Sequence, residues 1–354
     1  MDKWFSAGLS SWYTKNKRDL PWRNTNDPYL IWLSEIILQQ TQVAQGLAYY
    51  NKFAGRFCSV SELAAADEDE VLKLWQGLGY YSRARNLLYT ARQVVKEHAG
   101  RFPDDYNEIL ALKGVGDYTA SAIASFAFGQ PHAVVDGNVY RVLSRVFGID
   151  LAIDSTAGKK YFKNLATALL NKKDPATHNQ AIMEFGSQFC RALNPDCDNC
   201  VFKNKCAARA GKKVSRLPVK SKKNKVKERH FNYLLLVDSQ KKIKLHRRAQ
   251  SDIWKGLYEF TLIESDRAVS ANQLMELQEV KQVCEAEDNI HYQSRSYKHV
   301  LSHQHLFARF YVIQKRKKHS SSTGITAPLS QLEDYAFPRL IEKFLQDCDL
   351  KEII

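Results

Sequence analysis

No run in this 354-residue chain approaches the ~18–20 apolar residues of a membrane span, and its opening Met-Asp-Lys-Trp-Phe lacks a signal peptide's order of charge, apolar core and cleavage site. Those absences, with no N-terminal extension, predict a bacterial cytoplasmic protein without a membrane partner. Cysteine is sparse and odd in number: of seven, four crowd into residues 190–206, while Cys58, Cys284 and Cys348 lie scattered. An exported disulfide framework is excluded, and a metal site plus ordinary thiols is expected. Acidic side chains are also in deficit, 38 against 52 Lys and Arg, for a net charge of +14 and a pI near 9.3. That balance predicts attraction to a polyanion, nucleic acid first. The length allows two or three cores of ~100–200 residues, and two domains are expected.

What is present is organised around residues 112–138. Gly114-Val115-Gly116 sits between an apolar helix ending near Leu112 and a second helix running from Asp117 towards Phe128, with Gly129 as its stop. Glycines permit positive φ and close approach, and amides opening a helix point outward with the positive end of its dipole, so a phosphate fits this turn. An αα-corner without a ligand is the plainer reading. After Ala133-Val134-Val135, Asp136 opens another helix, where alone it reads as an N-cap. Hairpin, apolar spacer and Asp together resemble the helix-hairpin-helix superfamily of DNA base-excision glycosylases, whose motif ends in a catalytic Asp.

Residues 2–16 read as a packing helix with Trp4, Phe5, Leu9, Trp12 and Tyr13 on one face. Asp27-Pro28 then caps a helix reaching Gln39 that is apolar nearly all round, yet carries Glu35 in its middle. A buried carboxylate either pairs with a core Arg or takes a raised pKa, which suits a general acid near neutral pH. The run 33–43, Leu-Ser-Glu-Ile-Ile-Leu-Gln-Gln-Thr-Gln-Val, resembles the MutY-type adenine DNA glycosylases, relatives of endonuclease III. That resemblance implies that Glu35 is catalytic and that Gln40 enters the duplex. It further implies that Tyr118 and Asn138 hold Glu35 and Asp136 in place. Two more helices are expected, one capped by Asp67 with Glu70 three residues on, the other from Ser82. Gly77-Leu78-Gly79-Tyr80-Tyr81 between them matches the family loop whose first Tyr wedges into the base stack, a device that offsets unstacking when a base is extruded. Hydrophobic filling is the alternative for Tyr80.

Helices are expected over 155–170 and 175–189, followed by Cys190-x6-Cys197-x2-Cys200-x5-Cys206. Four thiolates so close form a metal or cluster site, and spacing alone leaves zinc open. The resemblance implies the [4Fe–4S] loop of endonuclease III and the MutY family. Residues 211–229 hold nine Lys or Arg against one Glu and read as a basic linker, either a solvated tether or a backbone contact. Strands are expected at 233–237, 243–245 and 306–312, with helices at 271–278 and 337–346, making an α+β domain. Residues 253–260, Ile-Trp-Lys-Gly-Leu-Tyr-Glu-Phe, resemble the Nudix-like C-terminal domain of MutY proteins, without the Arg-Glu-x-x-Glu-Glu helix of true Nudix hydrolases. Leu301-Ser302-His303 resembles that family's 8-oxoguanine-reading loop, with Leu301 in place of Phe.

The expected organisation is a mainly α helix-hairpin-helix glycosylase region over 1–210, including the cluster loop 190–206, the basic linker 211–229, and an α+β Nudix-like lesion-recognition domain over 230–354. The expected activity is removal of adenine opposite 8-oxoguanine or guanine in double-stranded DNA by a monomer associated with the nucleoid. Glu35, Asp136, Tyr118 and Asn138 would be catalytic. Gln40, Tyr80, Gly114, Val115, Gly116, Ser302 and His303 would meet DNA, and Cys190, Cys197, Cys200 and Cys206 would hold the cluster. Two other readings remain at this point. A bifunctional endonuclease III-like lyase needs a Lys where Tyr118 stands, and Lys113 is misplaced for it. A non-enzymatic damage sensor would have no use for both Glu35 and Asp136.

Overall fold

The computed structural model describes residues 3–221, 226–249, 252–318 and 324–354. Its first helices are α1 (Lys3–Asn16), α2 (Pro28–Leu38), α3 (Val43–Arg56), α4 (Val60–Ala65), α5 (Glu68–Trp75) and α6 (Ser82–His98). They are followed by α7 (Tyr106–Ala111), α8 (Asp117–Phe126), α9 (Gly137–Phe147), α10 (Thr156–Leu169), α11 (Pro175–Gln188) and α12 (Ala207–Ala210). The C-terminal part holds β1 (Lys227–Val237), β2 (Lys242–Arg247), β3 (Tyr258–Glu259), β4 (Thr261–Ser265), α13 (Ala271–Met275) and α14 (Gln278–Lys281). It ends with β5 (Asn289–Gln293), β6 (Tyr297–Val300), β7 (Gln304–Gln314), β8 (Ile325–Pro328), α15 (Arg339–Asp347) and α16 (Leu350–Ile353). A helical N-terminal region and an α+β C-terminal one are the architecture the sequence predicts. Two compact units result, one of Met1–Ala65 with Asn86–Lys223, the other of Ala66–Arg85 with Asn224–Ile354.

In the first unit, caps set the ends of the helices that matter. Asp27 accepts the Tyr29 amide at 2.8 Å and Pro28 opens α2, whose buried face runs right round the helix because neighbours cover every side. Serine and alanine on α8 let it approach closely; Thr119 to Ser125 are all buried. An aromatic core of Phe5, Trp12, Phe162, Phe185 and Phe202 fills the space among α1, α9, α10 and α11. The connector is not free over its first part: Val219 accepts the Ile153 amide at 3.0 Å, and Ser221 donates to Asp154. Residues 222–225 of the expected linker lie outside the described residues, as does Asp2 of the expected first helix. The linker also ends earlier than its composition suggests, since β1 begins at Lys227, laddered to Gln304. At α5, Asp67 occupies the N-cap position, but its side chain makes no cap hydrogen bond.

The second unit is an eight-stranded sheet of order β3-β2-β1-β7-β5, with β4, β6 and β8 branching from β1, β7 and β2. Strand β1 runs parallel to β7, and both are buried on two faces, because side chains alternate across a strand. Phe231, Tyr233 and Leu235 join Phe310, Ile341 and Phe344 on one face; Leu234 and Leu236 join Tyr311, Leu274 and Val280 on the other. Two helix expectations need correcting. The 271–278 helix breaks at Leu277 into α13 and α14, which keeps Leu274, Leu277 and Val280 against the core; three-residue spacing drifts about 60° per step round an unbroken helix. Helix α15 starts at Arg339 rather than Phe337, since a residue before proline is pushed to extended backbone and Pro338 takes the N-cap.

Candidate active site

A cavity of about 440 Å³ opens in the first unit between α2, α8, α9 and α11, and Glu35, Tyr118, Asp136 and Asn138 all line it. Glu35 is 6% exposed. Burial pushes its carboxyl up to about 7; the Tyr118 hydroxyl, hydrogen-bonded to it, holds the rise back, and Asp136 adds to it. Arg23 acts on Glu35 only as the weakest of these causes, so the paired-carboxylate reading does not hold. Burial also sets the Tyr118 hydroxyl well above its ordinary range, which keeps it a proton donor.

Asp136 is both an N-cap and a cavity residue. Its Oδ1 accepts the Val139 amide at 2.7 Å, and its Oδ2 accepts Asn138 Nδ2 at 2.7 Å. Burial raises its pKa as well, but these donors and Arg141 oppose the rise, and the Asp136 charge in turn pushes Glu35 up. Arg141 fixes Asn138 in turn, donating Nη2 to its Oδ1 at 2.8 Å and Nε to the Cys190 carbonyl at 2.7 Å.

Sequence reasoning missed the opposite wall. Glu184 of α11 is 1% exposed, yet two arginines hold its pKa down to about 2: Arg18 at 2.5 Å and Arg23 at 2.8 Å. Both arginines line the cavity with Trp22 and Gln180. The available signal was an acidic residue flanked by Met183 and Phe185 in mid-helix, the same anomaly that marks Glu35. Among the described residues no lysine lines the cavity.

The hairpin turn lies between α7 and α8. Gly114 has φ 75°, and a Cβ there would meet Asn86 at 2.9 Å, whereas one on Gly116 would meet nothing. Val115 packs inward with its amide bonded to Leu112, leaving Gly116 and the first turn of α8 on the open side. Gln40 is exposed at φ 54° in this unit, and Tyr80, in the other, is 47% exposed at φ 49°. Left-handed backbone at a side chain with a Cβ costs ~1–2 kcal/mol and collects at functional sites. Ser302 and His303 form the exposed turn between β6 and β7, with Oγ and Nδ1 3.2 Å apart. Leu301 leaves that tip and packs on the sheet core.

Cys190, Cys197, Cys200 and Cys206 are half-buried free thiols, close enough together for Cys200 to feel the other three. Burial pushes the Cys200 thiol up to about 11, so a metal would have to draw off the proton. Arg145 Nη1 approaches Cys190 Sγ at 3.6 Å, and the Phe202 amide donates to Cys200 Sγ at 3.4 Å. Such donors suit sulfur that carries negative charge. Among the described residues, no three His, Cys, Asp or Glu stand as ligands of a single metal ion. Nor is any helix there long and apolar enough to cross a membrane.

The family described as HhH-GPD superfamily base excision DNA repair protein matches residues 33–174, and a NUDIX domain family matches residues 232–347. An adenine DNA glycosylase of Buchnera aphidicola subsp. Acyrthosiphon pisum is 34% identical over 257 residues, covering 72% of this chain and 73% of that protein. One of Buchnera aphidicola subsp. Schizaphis graminum is 30% identical over 353 residues, 97% of this chain and 98% of its own. Among solved structures, a thermostable thymine-DNA glycosylase superposes with a TM-score of 0.55 at 30% identity, over 58% of this chain and 95% of that one.

Proposed function

Because the chain belongs to the adenine DNA glycosylases, we propose that it hydrolyses the N-glycosidic bond of adenine opposite 8-oxoguanine or guanine in double-stranded DNA. The observation that carries this reading is a pair of buried carboxyls on one cavity, Asp136 held by the Val139 amide and Asn138 and Glu35 by the Tyr118 hydroxyl. Adenine is a poor leaving anion, so a ring nitrogen must gain a proton, and Glu35, with its pKa near 7, is the acid. The sugar becomes an oxocarbenium ion. Asp136, ionised, stabilises that cation electrostatically or through a transient bond, while Asn138 and Arg141 hold its carboxylate in place. Glu35, deprotonated by the first step, then activates water. Tyr118 orients Glu35 throughout. With no lysine on the described cavity wall, a lyase amine is not at hand. Glu184 and its arginines are the polar groups that meet the flipped base.

Gln40 and Tyr80 enter the duplex, the Gly114–Gly116 turn grips a phosphate, and Ser302 with His303 reads the oxidised guanine. Cys190, Cys197, Cys200 and Cys206 hold a [4Fe–4S] cluster; four thiols brought near one another by the x6, x2, x5 spacing support this reading. The cluster, when bound, supplies a four-point anchor for the loop. Brown protein carrying about four irons per chain is expected, and stoichiometric zinc without iron would overturn this assignment.

The test is single-turnover cleavage of duplexes containing A opposite 8-oxoguanine, A opposite guanine, or an oxidised pyrimidine, at one fixed salt concentration. Adenine release from the first two alone is expected. Strand cleavage at the third would favour the lyase, and no release would favour a sensor. The Ser302→Ala/His303→Ala variant should narrow the rate ratio between the two mispairs; an unchanged ratio removes the lesion-reading role.

A further inference from the structure

Tyr80 lies in a loop that belongs to the sheet-bearing unit, although Met1–Ala65 of the helical unit precede it in the chain. Backbone at φ 95° for Gly77, 73° for Gly79 and 49° for Tyr80 makes this a wound, pre-formed turn. Tyr81, 4% exposed, closes it: its hydroxyl accepts the Gly77 amide at 3.3 Å and donates to the Phe337 carbonyl at 3.4 Å. One element back, Asp69 of α5 accepts from Arg247 at 2.8 Å and from the Tyr258 hydroxyl at 3.0 Å. Arg247 and Tyr258 are directly opposed across the β2–β3 ladder, so both anchors rise from one rigid surface. That surface continues through β1 to β7, whose hairpin with β6 carries Ser302 and His303.

We propose that Tyr81 and the Asp69–Arg247–Tyr258 cluster are positioning residues that fix Tyr80 on the same sheet as the Ser302–His303 turn, so that the wedge and the lesion reader are set at one distance. The proposal rests on reading Tyr80 as the wedge. Fixing the loop in advance removes an ordering cost that would otherwise be met on each encounter with DNA. The ion pair is too exposed to matter much for folding, which makes Arg247 a safe place to probe.

The experiment measures dissociation constants in full-length protein carrying Glu35→Gln, so that substrate survives, for a duplex with A opposite 8-oxoguanine and for a matched duplex at the same salt. Tyr81→Phe and Arg247→Asp are each made with Tyr80 present and with Tyr80→Ala, and melting temperatures are recorded. Each is expected to weaken mispair binding roughly three- to tenfold, the worth of one hydrogen bond or so, and to leave matched DNA unchanged. The swap Arg247→Asp with Asp69→Arg should restore it, and neither change should add to Tyr80→Ala. An equal further loss in the Tyr80→Ala background, or an equal loss on matched DNA, overturns the proposal while leaving the wedge reading standing. If Tyr80→Ala alone leaves mispair affinity intact, the wedge reading fails and the proposal falls with it. Should Tyr81→Phe lower the melting temperature, the Arg247 arm and its rescue decide.

Discussion

Glu35 and Glu184 face the same cavity from opposite walls, at 6% and 1% exposure, yet one carboxyl is pushed up to about 7 and the other down to about 2. Both are hidden from solvent, but Glu35 is the more deeply enclosed; burial raises both carboxyls, and at Glu184 the partners reverse it. Glu184 receives two guanidinium groups; Glu35 receives one phenol and a neighbouring carboxyl. One wall is therefore built to carry charge at every working pH and the other to carry a proton. A reaction that must deliver a proton to a base already held by polar groups needs both.

The sharpest way to break this contrast is Glu35→Gln, expected to slow adenine release by at least ~10²–10⁴ in single turnover while mispair binding survives. Near-normal release would mean Glu35 is not the acid. Glu184→Gln comes next: it strands Arg18 and Arg23, and a loss of roughly 3 kcal/mol in denaturant unfolding is expected, at the low end because Arg18 is partly solvated. A change below the scatter of the measurement would show that the arginines find other partners. Stability also separates the two glutamates by sign. The fold favours protonated Glu35, so its cost appears as pH rises past the ordinary 4.5 and is complete above about 7. Glu35→Gln should thus gain ~1–3 kcal/mol over the parent at pH 8 and nothing at pH 4. The fold favours ionised Glu184, whose contribution is present above 4.5 and lost as pH falls towards about 2. Smallest is Tyr118→Phe, which removes the hydrogen bond that restrains Glu35. The pH at which the single-turnover rate begins to fall should move upward, with a change below ~10-fold at pH 6; a downward move would assign the hydroxyl another job.

Much of this was readable in advance where a residue contradicts its surroundings. Glu35 stood out because α2 is apolar all round, and the glycines of the hairpin because helices flank them. Glu184 carried the same signal more faintly, since α11 also bears His178, Asn179 and Gln180 and so looks half polar. Strand β1 was visible from its apolar run, but period and composition name no neighbour, and its parallel pairing with β7 depends on a partner about 77 residues away along the chain. The membership of residues 66–85 was hidden for a similar reason: helix α6 runs unbroken from one unit into the other, so nothing in the local pattern marks the boundary.

That discontinuity has a consequence for how the chain is made. Residues 66–85 leave the ribosome early, yet Arg247, Tyr258 and Phe337, which hold them, follow far later, on the order of ten seconds or more at ~5–20 residues per second. For that interval the bonds from Tyr81 to Phe337 and from Asp69 to Arg247 and Tyr258 cannot form. The parallel β1–β7 pairing, also made only when most of the chain exists, then closes both gaps late, as long-range pairings do. The nascent chain thus passes through a stage in which the helical unit is fully synthesised while this stretch still waits for its partners, and chaperone capture or early proteolysis would be expected to find it there first.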